Sequence, residues 1–217
     1  MAEGLYLKQV ELGPMANYVY LVGSAATREV AVVDPAWDVD AICKLAEAED
    51  LKITTVLITH FHGDHTNGVT ALLERIPAKV YVNKNDLPFL PALAGEATKA
   101  ESGGTITLGD VSIQLLHTPG HTPGSQCFYV SNHIVSGDTM FIGSCGRCDG
   151  PNSSPEQMHH SLQNLGKLPG STVLLPGHNY AAKKTSTIAD EVATNPFVRM
   201  DLQRFLSVVQ GPGSRRR

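Results

Sequence analysis

Residues 59–65 read Thr-His-Phe-His-Gly-Asp-His, so three of the chain's nine histidines and a carboxylate fall within one short stretch. Imidazole and carboxylate are donors that suit zinc and other borderline first-row metals, and residues two apart at a strand end can turn toward one centre. His60, His62, Asp64 and His65 are therefore candidate metal ligands. The bland alternative is a solvated loop holding one or two core histidines, but histidine is too scarce for such crowding to be ordinary chance. A single zinc needs three or four protein ligands; this stretch offers four groups at two spacings, which hints at two ions. Further candidates lie downstream among turn-forming neighbours: His121 in HTPGHTPGS, Asp138 in VSGDTMF and His178 in LLPGHNY.

Strands must deliver these residues to one place. Apolar runs bounded by turn residues predict strands at 5–12, 18–22, 30–33, 53–58, 79–82, 111–117, 126–130, 133–135 and 172–175. Helix-length segments between them span 38–49, 66–75, 86–94, 155–165, 183–193 and 200–209. Asp38 precedes the first helical run, and Ser154-Pro155-Glu156 offers a cap, a proline at the first helical position and early negative charge. Strands and helices alternate, and the Gly/Pro-rich stretches 118–124 and 143–155 read as loops beside strand ends, where sites are built.

With 217 residues, 42% apolar and 18% charged, the chain is long and apolar enough for one sizeable core. We expect a single domain over 1–210 and a frayed basic tail over 211–217. Seventeen Lys and Arg stand against 21 Asp and Glu, a net charge of -4 with no basic stripe, which argues against nucleic acid. No stretch has the length of a membrane span and no charged n-region leads an apolar one, so the expected setting is cytoplasmic, away from membranes. Cys43, Cys127, Cys145 and Cys148 are too sparse for a disulfide scaffold and are read as reduced thiols.

The ordered motifs THFHGDH, TPGHTPGS, SGDTMF and PGHNY resemble the metallo-β-lactamase superfamily, in particular its glyoxalase II (hydroxyacylglutathione hydrolase)-like branch. The resemblance covers nearly the whole chain. It implies an α/β fold, the four-layer αββα sandwich, with a two-metal site at one edge of the paired sheets. By motif, His60, His62 and His121 would hold the first ion, Asp64, His65 and His178 the second, and Asp138 would bridge them. The ions would be divalent, zinc first, with iron or manganese also suited to these donors. His117, His133, His159 and His160 are left outside, with His117 at most holding a ligand in place. Asp34, in VVDPAW, would either accept a hydrogen bond from a ligand histidine or cap a helix or turn.

The chemistry implied is hydrolysis: a water shared by two metals loses its proton near neutral pH and attacks a polarised carbonyl. Asp64 can also handle the proton, although a metal-bound carboxylate is a weak base. Arg147, in GSCGRCDGP, matches the segment that gives a basic residue to a glutathione carboxylate, and Tyr180 matches an aromatic position touching the thiol tripeptide. The implied partner is a small thioester or thiol, glutathione-linked, or coenzyme A- or carrier-linked, because the chain after His178 is shorter than in full-length glyoxalase II. No oligomeric state follows from the sequence.

Persulfide dioxygenases share the same ordered ligands, and CGR followed by Asp149, with STIADEVATNP at 186–196, also looks like their pattern. There, a single iron would use His60, His121 and Asp138. GRCDGP lacks the aromatic and Gln of GRTDFQ-like dioxygenase segments, whereas SPEQMHHSL is more hydrolase-like, so the hydrolase leads. A metal-bound module without activity is disfavoured by the intact ligand positions. The lone Cys145-x-x-Cys148 lacks the second pair of a zinc site, and is read as two loop thiols near the active site. The single tryptophan, Trp37, is expected to pack at a loop or helix start, outside the site.

Overall fold

The computed structural model describes residues 4–210, so the tail expected at 211–217 lies outside the described residues. Strands β1 (Leu5–Leu12), β2 (Asn17–Ser24), β3 (Glu29–Val33), β4 (Lys52–Leu57), β5 (Lys79–Asn83) and β6 (Ala97–Ala100) form one six-stranded sheet in that order. The rest are β7 (Thr105–Leu108), β8 (Val111–His117), β9 (Gln126–Val130), β10 (His133–Gly137), β11 (Met140–Phe141), β12 (Ser144–Cys145), β13 (Val173–Pro176) and β14 (Ser186–Thr187). The second sheet runs β14-β13-β10-β9-β8-β7, and β11 pairs with β12 alone.

Side-chain alternation builds the layers. In β2 every residue is buried: Tyr18, Tyr20 and Val22 face the second sheet, among Ile113, Phe128 and Val135, while Val19 and Leu21 face the helices. α1 (Val39–Ala48), α2 (Gly63–Thr66) and α3 (Val69–Leu73) are the helices of the first half, and Ile42, Val69 and Leu72 pack on that outer face. α4 (Pro155–Leu165), α5 (Ile188–Thr194), α6 (Pro196–Arg199) and α7 (Leu202–Val209) cover the second sheet through Met158, Leu162, Ile188, Val198 and Phe205. The result is the αββα sandwich.

Strand direction puts the motifs at one edge. β3, β4 and β5 run parallel, and β10 runs parallel to β13 with Gly137 opposite Pro176, so Asp138 and His178 leave neighbouring strand ends. An isolated bridge between Asn17 and His178 ties this edge to the first sheet.

Several elements differ from the sequence expectation. The helix expected over 66–75 is two short ones, α2 starting already at Gly63, because the chain bends at Gly68: its N–H reaches Pro35 O at 3.2 Å, and a Cβ there would lie 2.8 Å from that oxygen. The helix expected over 86–94 is two 3-10 turns, Leu87–Phe89 and Pro91–Leu93, since Pro88 and Pro91 supply no N–H. α5 begins only at Ile188, where Thr187 accepts from Asp190 N–H, and α7 at Leu202, capped by Asp201. Asp38 and Ser154 do cap α1 and α4. Strands β6, β7, β11, β12 and β14 are additional, and being four residues or fewer they carry too little apolar pattern to be read from sequence.

Candidate metal centre

β4 ends at Leu57, and the extended residues after it present His60 and His62 before α2 carries Asp64 and His65. Asp34, at the end of β3, organises this turn. Its carboxylate accepts from Thr59 N–H at 2.7 Å, from Thr59 Oγ1 at 2.5 Å and from His65 Nδ1 at 2.9 Å. Of the two roles open to it, Asp34 therefore takes that of acceptor from a site histidine; Asp38 does the capping.

The histidine tautomers follow from their partners. A carboxylate or backbone carbonyl only accepts, so His65 Nδ1 donates to Asp34, His121 Nδ1 to Arg147 O at 2.6 Å, and His178 Nδ1 to Met15 O at 2.9 Å. Thr59 spends its proton on Asp34, hence it accepts from His60 Nδ1 at 2.9 Å. All four rings are left with Nε2 directed inward, and His62 instead turns Nδ1 to within 2.9 Å of His121 Nε2.

Three donor groups result, one of them Asp34, His60 and His65, in which Asp34 is engaged by Thr59 and by His65 Nδ1; the other two open into the pocket. His60, His62 and His121 form one of these two, and Asp64, His65 and His178 the other, with the donor atoms of each within 4.8 Å of one another. Asp138 touches both: Oδ2 lies 3.5 Å from His121 Nε2 and 3.4 Å from His178 Nε2, and Oδ1 lies 3.4 Å from His65 Nε2. His65 Nε2 and His178 Nε2 stand 3.1 Å apart, a spacing satisfied either by a proton on His65 or by a cation held between them. His60 Nε2 and Asp138 Oδ1 are buried with no hydrogen-bond partner. The donors present thus fit divalent ions with His and carboxylate preference.

Charge balance points the same way. Burial pushes His60 well below the usual histidine range and His62 down to about 4, so both are neutral donors. Burial also opposes charge on His65, but Asp138, Asp34 and Asp64 outweigh it and raise the ring to about 9. Asp138 is disfavoured as an anion by burial, yet His65 and its neighbours hold it well below the carboxylate range. The pocket attracts positive charge, either a proton on His65 or an ion.

All seven candidate ligands from the sequence are brought together here. Arg147 is not: its carbonyl receives His121, while its guanidinium, 72% exposed, pairs with Asp149 at 3.1 Å. Tyr180 stacks on His178 with ring centroids 4.6 Å apart and 9° between planes, and with Phe141 lines a pocket beside that histidine. His117, His133 and His159 turn ring nitrogens to backbone carbonyls of Pro123, Ser131 and Met200, and none joins the cluster. Of the two thiols expected in a loop, Cys148 lies in one and Cys145 in β12, and both pack with Met158 and Leu162 in the outer core; burial raises both, Cys148 to about 12.

Three contributors escaped the sequence reading. Asp86, fully buried, accepts from Phe61 N–H at 2.9 Å, Thr122 Oγ1 at 2.7 Å and Gly124 N–H at 2.5 Å, lashing the His62 loop to the His121 loop. Asn17 donates to Asp64 Oδ2 at 3.0 Å, and Trp37, expected outside the site, donates to Asn17 Oδ1 at 2.8 Å. Asp86 sits in a turn, Trp37 at a bend before α1 and Asn17 at the start of β2, positions whose spacing carries no ligand signal. Asp86→Ala would strand three donors, costing ~3 kcal/mol or more. We expect Tm to fall by roughly 6–12 °C in a thermal melt, and an unchanged Tm would remove Asp86 from this role.

The sequence model of the metallo-beta-lactamase superfamily matches residues 12–178. The chain belongs to the metallo-beta-lactamase superfamily. Among relatives in this superfamily, a hydroxyacylglutathione hydrolase of Idiomarina loihiensis is 32% identical over 223 residues, covering 88% of this chain and 85% of its own. A probable polyketide biosynthesis zinc-dependent hydrolase, PksB of Bacillus subtilis, is 30% identical over 190 residues, covering 87% and 84%. The crystal structure of ETHE1 from Myxococcus xanthus superposes with a TM-score of 0.88 at 29% identity, covering 96% of this chain and 91% of its own. Superfamily membership and the His/Asp donor set together mark a metal-dependent hydrolase. Among the described residues no helix is long and apolar enough to cross a membrane.

Proposed function

We propose that this protein hydrolyses thioesters with two divalent ions, zinc the first candidate. The observation that carries the reading is the pair of three-residue donor groups joined by Asp138 in one pocket. His60, His62 and His121 would hold one ion, Asp64, His65 and His178 the other, with Asp138 between them. Ions so held lower the pKa of a water they bind and polarise a carbonyl oxygen. Around them, the protein orients and shields: Asp34, Arg147 O and Met15 O fix the rings, and Tyr180 and Phe141 wall one side. Asp64 takes up the proton at Oδ1, since Asn17 engages Oδ2.

The substrate class is a small acyl thiol, glutathione-, coenzyme A- or carrier-linked, in keeping with the hydrolase names of the relatives. Arg147, whose carbonyl receives His121 and whose guanidinium is exposed, suits a carboxylate or phosphate on the thiol part, and Tyr180 its packing face. The test is elemental analysis of protein purified without added metal, beside S-lactoylglutathione hydrolysis and oxygen uptake with glutathione persulfide. Two ions per chain with thioester cleavage is the expected result; one iron with oxygen uptake overturns it.

Mutation separates the same alternatives. His121→Ala should abolish activity in either chemistry. His178→Ala should cost the two-ion hydrolase roughly 100-fold or more, but a one-iron oxygenase less than roughly tenfold, measured as kcat/KM relative to wild type.

A further inference from the structure

Trp37 lies between β3 and α1 with φ +63°, in the left-handed region. Its backbone N–H donates to Asn67 Oδ1, just past α2, at 2.7 Å, and its indole Nε1–H donates to Asn17 Oδ1 at 2.8 Å. An indole nitrogen only donates, so the Asn17 atom facing it is the carbonyl oxygen. The amide orientation is thereby set, and Nδ2 is directed to Asp64 Oδ2 at 3.0 Å, with His65 Nε2 at 3.5 Å. Asn17 is 1% exposed, and its backbone bridges to His178. One residue therefore touches Asp64, His65 and His178, while its hydrogen bonds reach none of His60, His62 and His121.

We infer that Trp37 and Asn17 are positioning residues for the second ion: the indole locks the amide, and the amide holds Asp64 turned toward His65 and His178. Without the indole N–H, the amide is free to flip and set its carbonyl against the Asp64 carboxylate, acceptor against acceptor. The effect is selective for one subsite, because the first donor group is held by Thr59 and Arg147 O instead. This rests on the two-ion reading above.

The experiment titrates zinc(II) into metal-free full-length protein, as wild type, Trp37→Phe and Asn17→Ala. Wild type should take up two ions in succession, and both variants should keep the first step but bind the second about 10–100-fold more weakly. Trp37 is also the chain's one tryptophan, so wild-type emission should change with the second step and not the first. Two ions in wild type with an unaltered second step in both variants overturn the inference alone. A single ion in wild type overturns the two-ion reading, and the inference with it. If neither variant folds, the wild-type emission decides: fluorescence indifferent to the second ion overturns the inference.

Discussion

Asp138→Asn should lower thioester hydrolysis about 10³-fold or more and leave the purified protein short of metal. Asp138 sets its oxygens among the Nε2 atoms of both donor groups, at 3.4 Å from His65 and His178 and 3.5 Å from His121. Asparagine keeps its shape but removes the charge and replaces one acceptor oxygen with an N–H₂ donor that no cation tolerates. The loss of several kcal/mol of charge stabilisation, taken as ~4 kcal/mol at 1.36 kcal/mol per decade, sets the expected factor. Crowding at Asp138 leaves no easy alternative position for the carboxylate. A Cβ on Gly177 would collide with Asp138 Oδ1, so the glycine of PGHNY is what lets the aspartate sit beside His178. Elemental analysis with kcat/KM is the check: a variant retaining two ions and more than a tenth of wild-type activity would take Asp138 out of the shared position.

Stripping the ions should lower the melting temperature by roughly 8–16 °C for each ion, reversibly on returning zinc. An ion held at ~1,000 times its Kd stabilises the folded state by about 4 kcal/mol, and each kcal/mol moves Tm by roughly 2–4 °C at this chain length. The size of the shift should shrink in acid. With Asp138, Asp34 and Asp64 raising His65 to about 9 against the opposing effect of burial, the metal-free ring is protonated at neutral pH, and an ion must displace that proton. Lowering the pH strengthens the competitor and weakens ion binding. Calorimetry of chelated and zinc-loaded protein at pH 8 and pH 6 reads both effects, and a chelator that removes the ions without moving Tm would show that the donor cluster does not depend on them.

The metal-ligand candidates were legible in the sequence because their chemistry is local. His60, His62, Asp64 and His65 stand within one turn after a strand, and rare residue types in that order speak without a fold. The layered architecture was legible too, since β2 and β3 bury both faces and so read as near-continuous apolar runs. What holds the ligands was not. Asp34 was readable only as one of two alternatives, and Asp86, Asn17 and Trp37 not at all: the four act through hydrogen bonds that span from 20 to 47 residues of chain, and an aspartate has the same sequence signature whether it caps a helix or orients a histidine. Tertiary structure also decided which ring nitrogens face the pocket, because that depends on the carbonyls of Met15 and Arg147, distant backbone atoms that no residue type reveals. The sequence by itself determined the donors and the sheets that bring them to one edge. Only the fold determined their tautomers, their grouping around Asp138 and the buried amide behind Asp64, because those are set by contacts between strand ends that meet only once the two sheets have packed.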